Sequence, residues 1–371
     1  MESTQKSAIS SVKPGTSIDR RLSVAPMMDW TDRHCRYVHR QFAPHALLYT
    51  EMVVAAAIVR GNAQRLLDHD AAEHPVALQL GGCDPKELAA AARIGAAAGY
   101  AEINLNVGCP SDRVKNGSFG ACLMLNPPLV ADCVRALRDA TQLPVTVKCR
   151  IGIDDRDDYD FFAGFADAVA AAGVDALIVH ARAALLGGLS PKENREIPPL
   201  KYDYVHRLKR ERPALTVVLN GGLSDIREIR AHLRPGAHYD TGAHDDTGAR
   251  HDGGPHLGPG AHRDAGLDGV MLGRAAYHRP ALLAELEQAV IDPAWRVPEA
   301  WEIIERVVSY AHRQAQGVRL HSITRHMHGL MAGRDGARAW RRFLSEVAAR
   351  PEAVPETLYS ALPILNQGIA A

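Results

Sequence analysis

The segment Asn104–Pro110 holds the residues best suited to chemistry, because it ends an apolar run with two amides, a thiol and a proline. The run is typical of a β-strand, and loops at strand ends often carry catalytic groups. Cys109 could act there as a nucleophile, a metal ligand or a proton donor, or it could simply pack against its neighbours. The motif alone leaves these roles open.

Seven further apolar, β-branched runs resemble strands, and most are separated by alanine-rich segments of helical length such as Pro85–Ala98, Pro128–Ala140 and Tyr159–Ala172. The eight predicted strands are Leu22–Met27, Ala46–Met52, Val76–Gly81, Glu102–Val107, Pro144–Arg150, Ala176–His180, Leu215–Asn220 and Gly269–Leu272. Strands that alternate with helices indicate an α/β protein with a parallel sheet, and eight units over about 250 residues predict a (β/α)8 TIM barrel. An open doubly wound sheet is the alternative, but no GxGxxG motif follows an early strand.

Polar groups stand at the ends of the predicted strands, and in a barrel all these ends meet on one face, where active sites lie. In chain order the groups are Pro26-Met27-Met28, Glu51, Gln79, Asn104 with Asn106 and Cys109, Lys148 with Arg150, His180 with Arg182, Asn220-Gly221-Gly222 and Gly273-Arg274. Packing alone does not explain such a ring. The last two groups predict a phosphate site, because glycines let backbone amides approach an anion and arginine adds a charge-assisted fork.

The composition predicts one large and one smaller domain in 371 residues, with 43 basic and 43 acidic side chains. Because the charge is balanced, any surface for nucleic acid must be local. The six cysteines (35, 83, 109, 122, 133 and 149) form no CxxC pair, which suits reduced thiols in a cytoplasmic protein. No apolar run is long enough to cross a membrane, and nothing implies a protein partner, so we expect a monomer.

The expected domain boundaries follow changes in composition. Residues 1–19 are polar and lack the apolar core of a signal peptide, which predicts a disordered tail. Residues 20–290 form the barrel, but 234–264 are rich in Gly, His and Asp with few large apolar residues, so we expect a disordered insertion there. Its five histidines (238, 244, 251, 256 and 262) could chelate Zn²⁺ or Ni²⁺ weakly, although an expanded repeat without a metal site is preferred.

Residues 298–350 are predicted to form a helical domain, followed by a C-terminal tail at 351–371. Between 301 and 350 there are nine arginines and only four acidic residues, and Arg338, Arg341 and Arg342 share one face at helical spacing. That face suits a phosphate backbone. A charged face that is merely solvated is the alternative, which spacing alone does not exclude.

A series of motifs, in this order, resembles the tRNA-dihydrouridine synthases, FMN enzymes with a barrel and a C-terminal helical domain. The motifs are Ala25–Asp29, Gln79–Gly82, Asn104–Pro110, Val147-Lys148, Val179–Arg182, Asn220–Gly222 and Gly273–Ala276. Ser190–Leu200 is similar to the A-type bacterial branch, which modifies positions 20 and 20a of the tRNA D-loop. The resemblance covers about residues 20–350 apart from the insertion. It implies reduction of the uracil C5–C6 bond, with FMN as cofactor, NADPH as reductant and tRNA as partner.

The resemblance also implies roles for individual residues. Cys109 would be the general acid that protonates uracil C5, since a thiol that keeps its proton at neutral pH can donate it. Lys148 would lie near the N1–C2=O region of the flavin, where positive charge stabilises the reduced form. The other implied cofactor contacts are Pro26, Met27 and Met28 to the isoalloxazine edge, Gln79 to its pyrimidine ring, and His180, Asn220, Gly221, Gly222, Gly273 and Arg274 to the phosphate and ribityl chain. The implied substrate contacts are Asn106 to the uridine and Lys192, Arg195, Arg338 and Arg341 to the tRNA.

Three other functions share part of this pattern. Another FMN barrel could act on small molecules, but it would not need an arginine-rich helical domain. A barrel lyase could use Lys148 to form a Schiff base, and a purely structural interpretation would place Lys148 in a salt bridge with Glu51 or a neighbouring residue. A tRNA-binding protein without catalysis could keep the same fold. The flavin residues leave no obvious metal site.

Overall fold

The strands form where the sequence places short β-branched runs between longer helical segments. The computed structural model describes residues 18–111, 119–234, 266–314 and 317–365. The parallel strands in these ranges are β1 (Leu22–Val24), β2 (Leu47–Tyr49), β3 (Val53–Val54), β4 (Val76–Gly81), β5 (Glu102–Val107), β6 (Val145–Arg150), β7 (Ala176–His180), β8 (Val217–Asn220) and β9 (Gly269–Leu272).

The sheet closes into a barrel because β1 pairs with both β2 and β9, while β2 also pairs with β4. The two-residue β3 pairs with the C-terminal end of β4, at Leu80 and Gly81. β2 and β3 therefore serve as two parts of one barrel strand, and the remaining strands follow in chain order from β4 to β9. The predicted (β/α)8 barrel is confirmed. The open doubly wound sheet is wrong, because such a sheet would leave two unpaired edges.

Helices cover the outside of the barrel. They are α1 (Arg33–Phe42), α2 (Ala55–Arg60), α3 (Ala63–Leu66), α4 (Pro85–Ala97), α5 (Pro127–Ala140), α6 (Tyr159–Ala171), α7 (Tyr202–Glu211), α8 (Ile226–Leu233), α9 (Arg274–His278) and α10 (Ala281–Leu286), which continues into a π-helical turn at Glu287–Ile291. Several begin at an aspartate whose carboxylate accepts first-turn amides, namely Asp32, Asp84, Asp158 and Asp225. Such caps satisfy amides that have no partner within the helix.

The period of two along each strand sorts side chains between the helix-facing core and the barrel interior. Along β5, Ile103, Leu105 and Val107 join the large core under the helices, and the residues between them are polar and buried. A smaller apolar cluster fills part of the interior and includes Leu47, Tyr49, Ile178, Val218 and Met271. The interior is therefore half apolar and half polar, and the polar half leads towards the strand ends.

The C-terminal helices pack against the barrel through α1. They are α11 (Ala300–Arg313), α12 (Leu320–Thr324), α13 (Ala337–Glu346) and α14 (Leu362–Leu365). The ring of Tyr310 on α11 stacks on Tyr37 of α1 with centroids 3.8 Å apart, and its hydroxyl lies 2.7 Å from Nδ1 of His34. The helical region therefore rests on the first barrel helix.

The packed helical region extends beyond residue 350, where the sequence predicted a tail. Pro355–Ala361 forms a 3₁₀ helix that leads into α14. Leu358 and Ala361 are fully buried, so this segment contributes to the core. Spacing could not predict this, because the segment is too short to display a helical period.

Several predictions fall on residues that the structure does not describe. These are residues 1–17 of the predicted tail, residues 235–264 of the insertion with its five histidines, and residues 366–371. Over the described ranges, no helix has both the length and the apolar character needed to cross a bilayer.

The packing of the segment after residue 350 can be tested with adjacent substitutions. We expect Leu358→Ala to lower the free energy of unfolding by about 2–5 kcal/mol, because it removes a buried leucine side chain. Tyr359→Ala is the matched control, since Tyr359 is 40% exposed, and it should change stability by about 0.5 kcal/mol or less. Chemical denaturation followed by circular dichroism measures both. Equal, small effects would mean that the segment contributes nothing to the core.

Candidate active site

A line of buried amides crosses the barrel interior beneath Cys109. The Nε2 of Gln79 donates to Oδ1 of Asn104 at 2.8 Å, and the Nδ2 of Asn106 donates to Oε1 of Gln79 at 2.8 Å. The Nδ2 of Asn104 in turn donates to Oγ1 of Thr146 at 2.9 Å. The register explains the contacts, because Gln79 lies opposite Asn104 and Asn104 opposite Thr146. Buried amides are thus satisfied by one another.

The line of amides ends at Glu102, a fully buried carboxylate near the start of β5. The hydroxyls of Tyr49 and Thr146 donate to its Oε1 at 2.6 and 2.5 Å. Arg20 forms an ion pair with the other carboxylate oxygen. A buried carboxylate needs this set of partners, since burial without them is strongly unfavourable.

The loop that carries Cys109 is held from both sides. The Oδ1 of Asn106 accepts hydrogen bonds from the amides of Gly108 and Cys109 at 3.2 and 3.0 Å. The carbonyl of Cys109 accepts from the amide of Ala121 at 2.9 Å. The thiol sulfur lies 3.4 Å from Oγ of Ser111 and is partly buried. A partly buried thiol on a fixed loop is suited to donating a proton to a substrate above the strand ends.

Arg150, at the end of β6, ties the Cys109 loop to two other loops. Its guanidinium is buried, and its Nε donates to the carbonyl of Gly108 at 2.9 Å. Its Nη1 donates to the carbonyls of Ala183 and Asn194, each at 2.9 Å. Only a planar fork of donors can satisfy carbonyls in these different directions. Arg150 therefore has a positioning role that the sequence did not reveal.

Lys148 lies two residues before Arg150 on β6. It contacts Asn220 rather than Glu51. Its Nζ donates to Oδ1 of Asn220 at 3.0 Å, whereas Oε1 of Glu51 accepts the amide of Asp29 at 2.5 Å. Burial, together with the charge of Arg150, lowers the pKa of Lys148 to about 8. Among the residues that the structure describes, Lys148 is therefore a cation with no carboxylate partner, which suits a ligand that carries or gains negative charge.

His180 and the glycine pair after β8 lie in contact. Gly221 and Gly222 have φ values of +110° and +71°, which favour glycine. A Cβ on Gly221 would come within 2.5 Å of Cδ2 of His180, and one on Gly222 within 2.6 Å of Leu200. Burial, and then the charges of Arg150 and Lys148, hold the pKa of His180 well below its ordinary value, so its ring is neutral.

Two arginines next to this turn provide positive charge for an anion. Arg274 forms an ion pair with Glu196, and Gly273 before it has open space where a Cβ would stand. Arg182 donates from Nη1 to the carbonyl of Pro198, but its buried Nε has no hydrogen-bond partner among the described residues. Burial and the charge of Arg274 both lower the pKa of Arg182. An unpartnered donor among like charges fits a phosphate group.

The other predicted contacts comprise flavin contacts after β1, the uridine contact Asn106 and the tRNA contacts. Pro26, Met27 and Met28 follow β1 at the barrel face, and the side chain of Met28 is 53% exposed. Asn106 uses both ends of its amide inside the protein, so its contact with a uridine stays a prediction. The predicted tRNA contacts are exposed: Lys192 and Arg195 on the loop anchored by Arg150, and Arg338 and Arg341 on α13.

Comparison with known proteins identifies the family of this chain. The model of the family described as dihydrouridine synthase matches residues 23–240 and 260–364. The chain belongs to the dihydrouridine synthase family. It is 54% identical over 334 residues to a tRNA-dihydrouridine(20/20a) synthase of Xanthomonas campestris pv. campestris, covering 90% of each chain. It is 49% identical over 343 residues to the protein of the same name from Pasteurella multocida, covering 92% of this chain and 95% of the other.

A solved structure supports the fold of this dihydrouridine synthase but not its chemistry. A 2-naphthoyl-CoA reductase, solved with 2-naphthoyl-CoA, superposes with a TM-score of 0.50 and 9% identity, covering 72% of this chain and 50% of that one. At this identity the likeness concerns the barrel alone.

Sequence reasoning gave no role in this dihydrouridine synthase to Arg150, Thr146 or Glu102. A signal was present, because Glu102, Asn104 and Asn106 alternate with apolar residues along one predicted strand. That alternation places three polar side chains on one buried face, which requires partners on the neighbouring strands.

The positioning role of Arg150 predicts a measurable loosening of the Cys109 loop. Arg150→Lys keeps the charge but cannot bond to all three carbonyls, so we expect faster alkylation of Cys109 and a loss of stability of about 1–3 kcal/mol. Iodoacetamide labelling followed by mass spectrometry measures the first, and denaturation the second. Arg138→Lys is the control, since Arg138 is a half-exposed arginine paired with Asp175 at 3.0 Å. Unchanged labelling and stability in Arg150→Lys would contradict the role.

Proposed function

We propose that this dihydrouridine synthase reduces uridines at positions 20 and 20a of the tRNA D-loop and that Cys109 donates the proton. The observation that carries the proposal is the fixed thiol at the end of β5, surrounded by cations at the neighbouring strand ends. The names of the relatives from Xanthomonas campestris and Pasteurella multocida support the two positions.

Reduction of the uracil C5–C6 bond adds one hydride and one proton. Cys109 supplies the proton to C5 and is left as a thiolate, which regains a proton from solvent. Lys148, Arg150 and Arg195 lie within electrostatic reach of this sulfur, since its charge would raise the pKa of each. Their positive charge stabilises the thiolate as it forms, which favours the transfer.

FMN fits the rest of this face. When bound, and after reduction by NADPH, it would supply the hydride for uracil C6. The unpartnered Nε of Arg182 and the open space at Gly273 suit its phosphate, next to Arg274. Lys148 would hold positive charge near the flavin pyrimidine ring, and Met28 would offer an apolar contact. The remaining proposed flavin contacts are Pro26, Met27, Gln79, His180, Asn220, Gly221 and Gly222.

The substrate base must leave the tRNA stack to reach these groups, which costs a few kcal/mol. Contacts with the phosphate backbone offset that cost without reading the sequence. The exposed cations Lys192, Arg195, Arg338 and Arg341 are the proposed contacts, and Asn106 is the proposed contact to the flipped uridine. Arg195 and Lys192 belong to the loop that Arg150 fixes, so they have a set position relative to Cys109.

The proposal is tested with purified protein, NADPH and unmodified tRNA. We expect flavin to copurify with the protein and dihydrouridine to form at positions 20 and 20a, mapped by reverse transcription. Cys109→Ala should slow the reaction about 10²–10⁴-fold, the usual contribution of a general acid, without changing the flavin spectrum. Cys122→Ala, at another partly buried thiol, should retain activity. Full activity in Cys109→Ala would refute the assignment of the acid.

The lowered pKa of Lys148 predicts a pH effect on the flavin. Lys148 is charged below about pH 8 and neutral above it, so its stabilisation of the anionic reduced flavin should fade as the pH rises through that value. The reduction potential of the bound flavin should therefore fall more steeply with pH in the wild-type protein than in Lys148→Met. Lys148→Arg should keep its charge across the range. Identical pH profiles in wild type and Lys148→Met would contradict a contact with the flavin.

A further inference from the structure

The carboxylate of Asp32 is shared between the barrel and the helical region. Its Oδ1 accepts the amides of His34 and Cys35 at 2.9 Å and so caps α1. The Nη2 of Arg325 donates to Oδ2 at 2.6 Å, and Nε2 of His326 lies 3.0 Å from Oδ1. Burial alone would raise the pKa of Asp32, but the hydrogen bond and charge of His326, then the hydrogen bonds from the Cys35 amide and from Arg325, hold it well below its ordinary value. The contact between the two regions is therefore charge-assisted.

The same segment also contacts α9, the short helix that follows β9. The hydroxyl of Tyr277, on α9, donates to the carbonyl of Arg325 at 3.2 Å and lies 3.2 Å from Nδ1 of His326. The ring of Tyr277 stacks on Trp30, with centroids 4.3 Å apart. Trp30 belongs to the loop after β1, where its amide donates to the carbonyl of Met27 at 3.1 Å. The loop after β1 and the start of α9 both carry proposed flavin contacts.

At its other end the segment holds α13. The Nε1 of Trp340 donates to the carbonyl of Met327 at 2.8 Å. Trp340 is fully buried and stands on α13 between Arg338 and Arg341, which are exposed. A buried indole with a bonded N–H fixes the rotation of its helix, so the direction of the two arginines is fixed as well.

We propose that Arg325–Met327 is a linking segment that sets the position of α13 relative to the active-site loops, and that Asp32, Tyr277 and His326 are positioning residues for tRNA. The inference rests on the proposed function, in which α13 binds tRNA. Arginines on α13 hold the substrate, and the linking segment determines where the uridine lies relative to the flavin and Cys109. Because a shift of about 1 Å at a reacting centre costs about 10²-fold in rate, affinity and rate should respond to different substitutions.

The test separates affinity from rate. Asp32→Asn keeps a capping oxygen for α1 but removes the charge that Arg325 meets. We expect a tRNA Kd close to that of wild type, measured by fluorescence anisotropy, and a fall of about 10- to 100-fold in the rate at which saturating tRNA reoxidises pre-reduced flavin. Flavin reduction by NADPH without tRNA should not change. Asp84→Asn is the matched control, because Asp84 caps α4 through the amides of Lys86 and Glu87 at 2.8 and 3.1 Å.

Two further variants keep the test decisive. Tyr277→Phe removes the bond to the Arg325 carbonyl but keeps the stack on Trp30, and it should slow reoxidation even if Asp32→Asn does not fold. Arg338→Gln should raise the Kd for tRNA, which tests the contact of α13 with tRNA separately from the linking role. The linking role is overturned if Asp32→Asn and Tyr277→Phe both reoxidise at the wild-type rate, or if they change only Kd. If Arg338→Gln and Arg341→Gln leave Kd unchanged, the tRNA contact of α13 fails instead.

Discussion

Polar side chains inside a closed barrel must find their partners inside the same barrel, and this constraint organises the active site. Inward positions along β5 alternate with apolar ones and bring Glu102, Asn104 and Asn106 into the interior. Asn104 and Asn106 are both bonded to Gln79. Because Asn106 also accepts the hydrogen bond of the Cys109 amide, the same bonds that satisfy the interior hold the Cys109 loop. A shift of the β5 register by one residue would turn the amide side chains towards the helix-facing core. The hydrogen bonds that hold the Cys109 loop would then be lost.

The concentration of positive charge at the strand ends has two different causes. Arg150 is buried and donates from Nε and Nη1 to backbone carbonyls, so it holds loops in place in addition to placing a charge near Cys109. Arg182 leaves a buried Nε without a partner among the described residues, which is unfavourable unless a ligand completes the site. The two arginines follow neighbouring strands yet differ in this respect. The charges of Arg150 and Arg182 do not distinguish their roles, whereas their hydrogen-bond partners do.

The sequence predicted the barrel because strand and helix signals alternate regularly, and β4, β5, β7 and β9 have the predicted bounds. The ends of β1 and β2 were overestimated. β1 stops at Val24, shortly before Pro26, which has no amide to donate to a ladder. Contacts distant in sequence were not predictable: Asp32 meets Arg325 across 293 positions, and no periodicity within either segment encodes that pairing. The same holds for Arg150, whose partners are carbonyls of irregular loops.

The two surfaces proposed to bind tRNA are both anchored to elements at the active-site face of the barrel, and this anchoring affects which uridine is selected. The loop with Lys192 and Arg195 is anchored through Asn194 to Arg150, which also holds the Cys109 loop. α13 is anchored through Met327 to the segment that meets the loop after β1 and the helix α9 after β9. Phosphate contacts carry little sequence information by themselves. If both sets of cations are fixed relative to Cys109, the protein can select a uridine by its distance and direction from the tRNA backbone. Selection at positions 20 and 20a then depends on the shape of the folded tRNA. The buried hydrogen bonds of Arg150 and of the Met327 carbonyl keep the cations at fixed positions relative to Cys109, so that only a tRNA of matching shape places its uridine there.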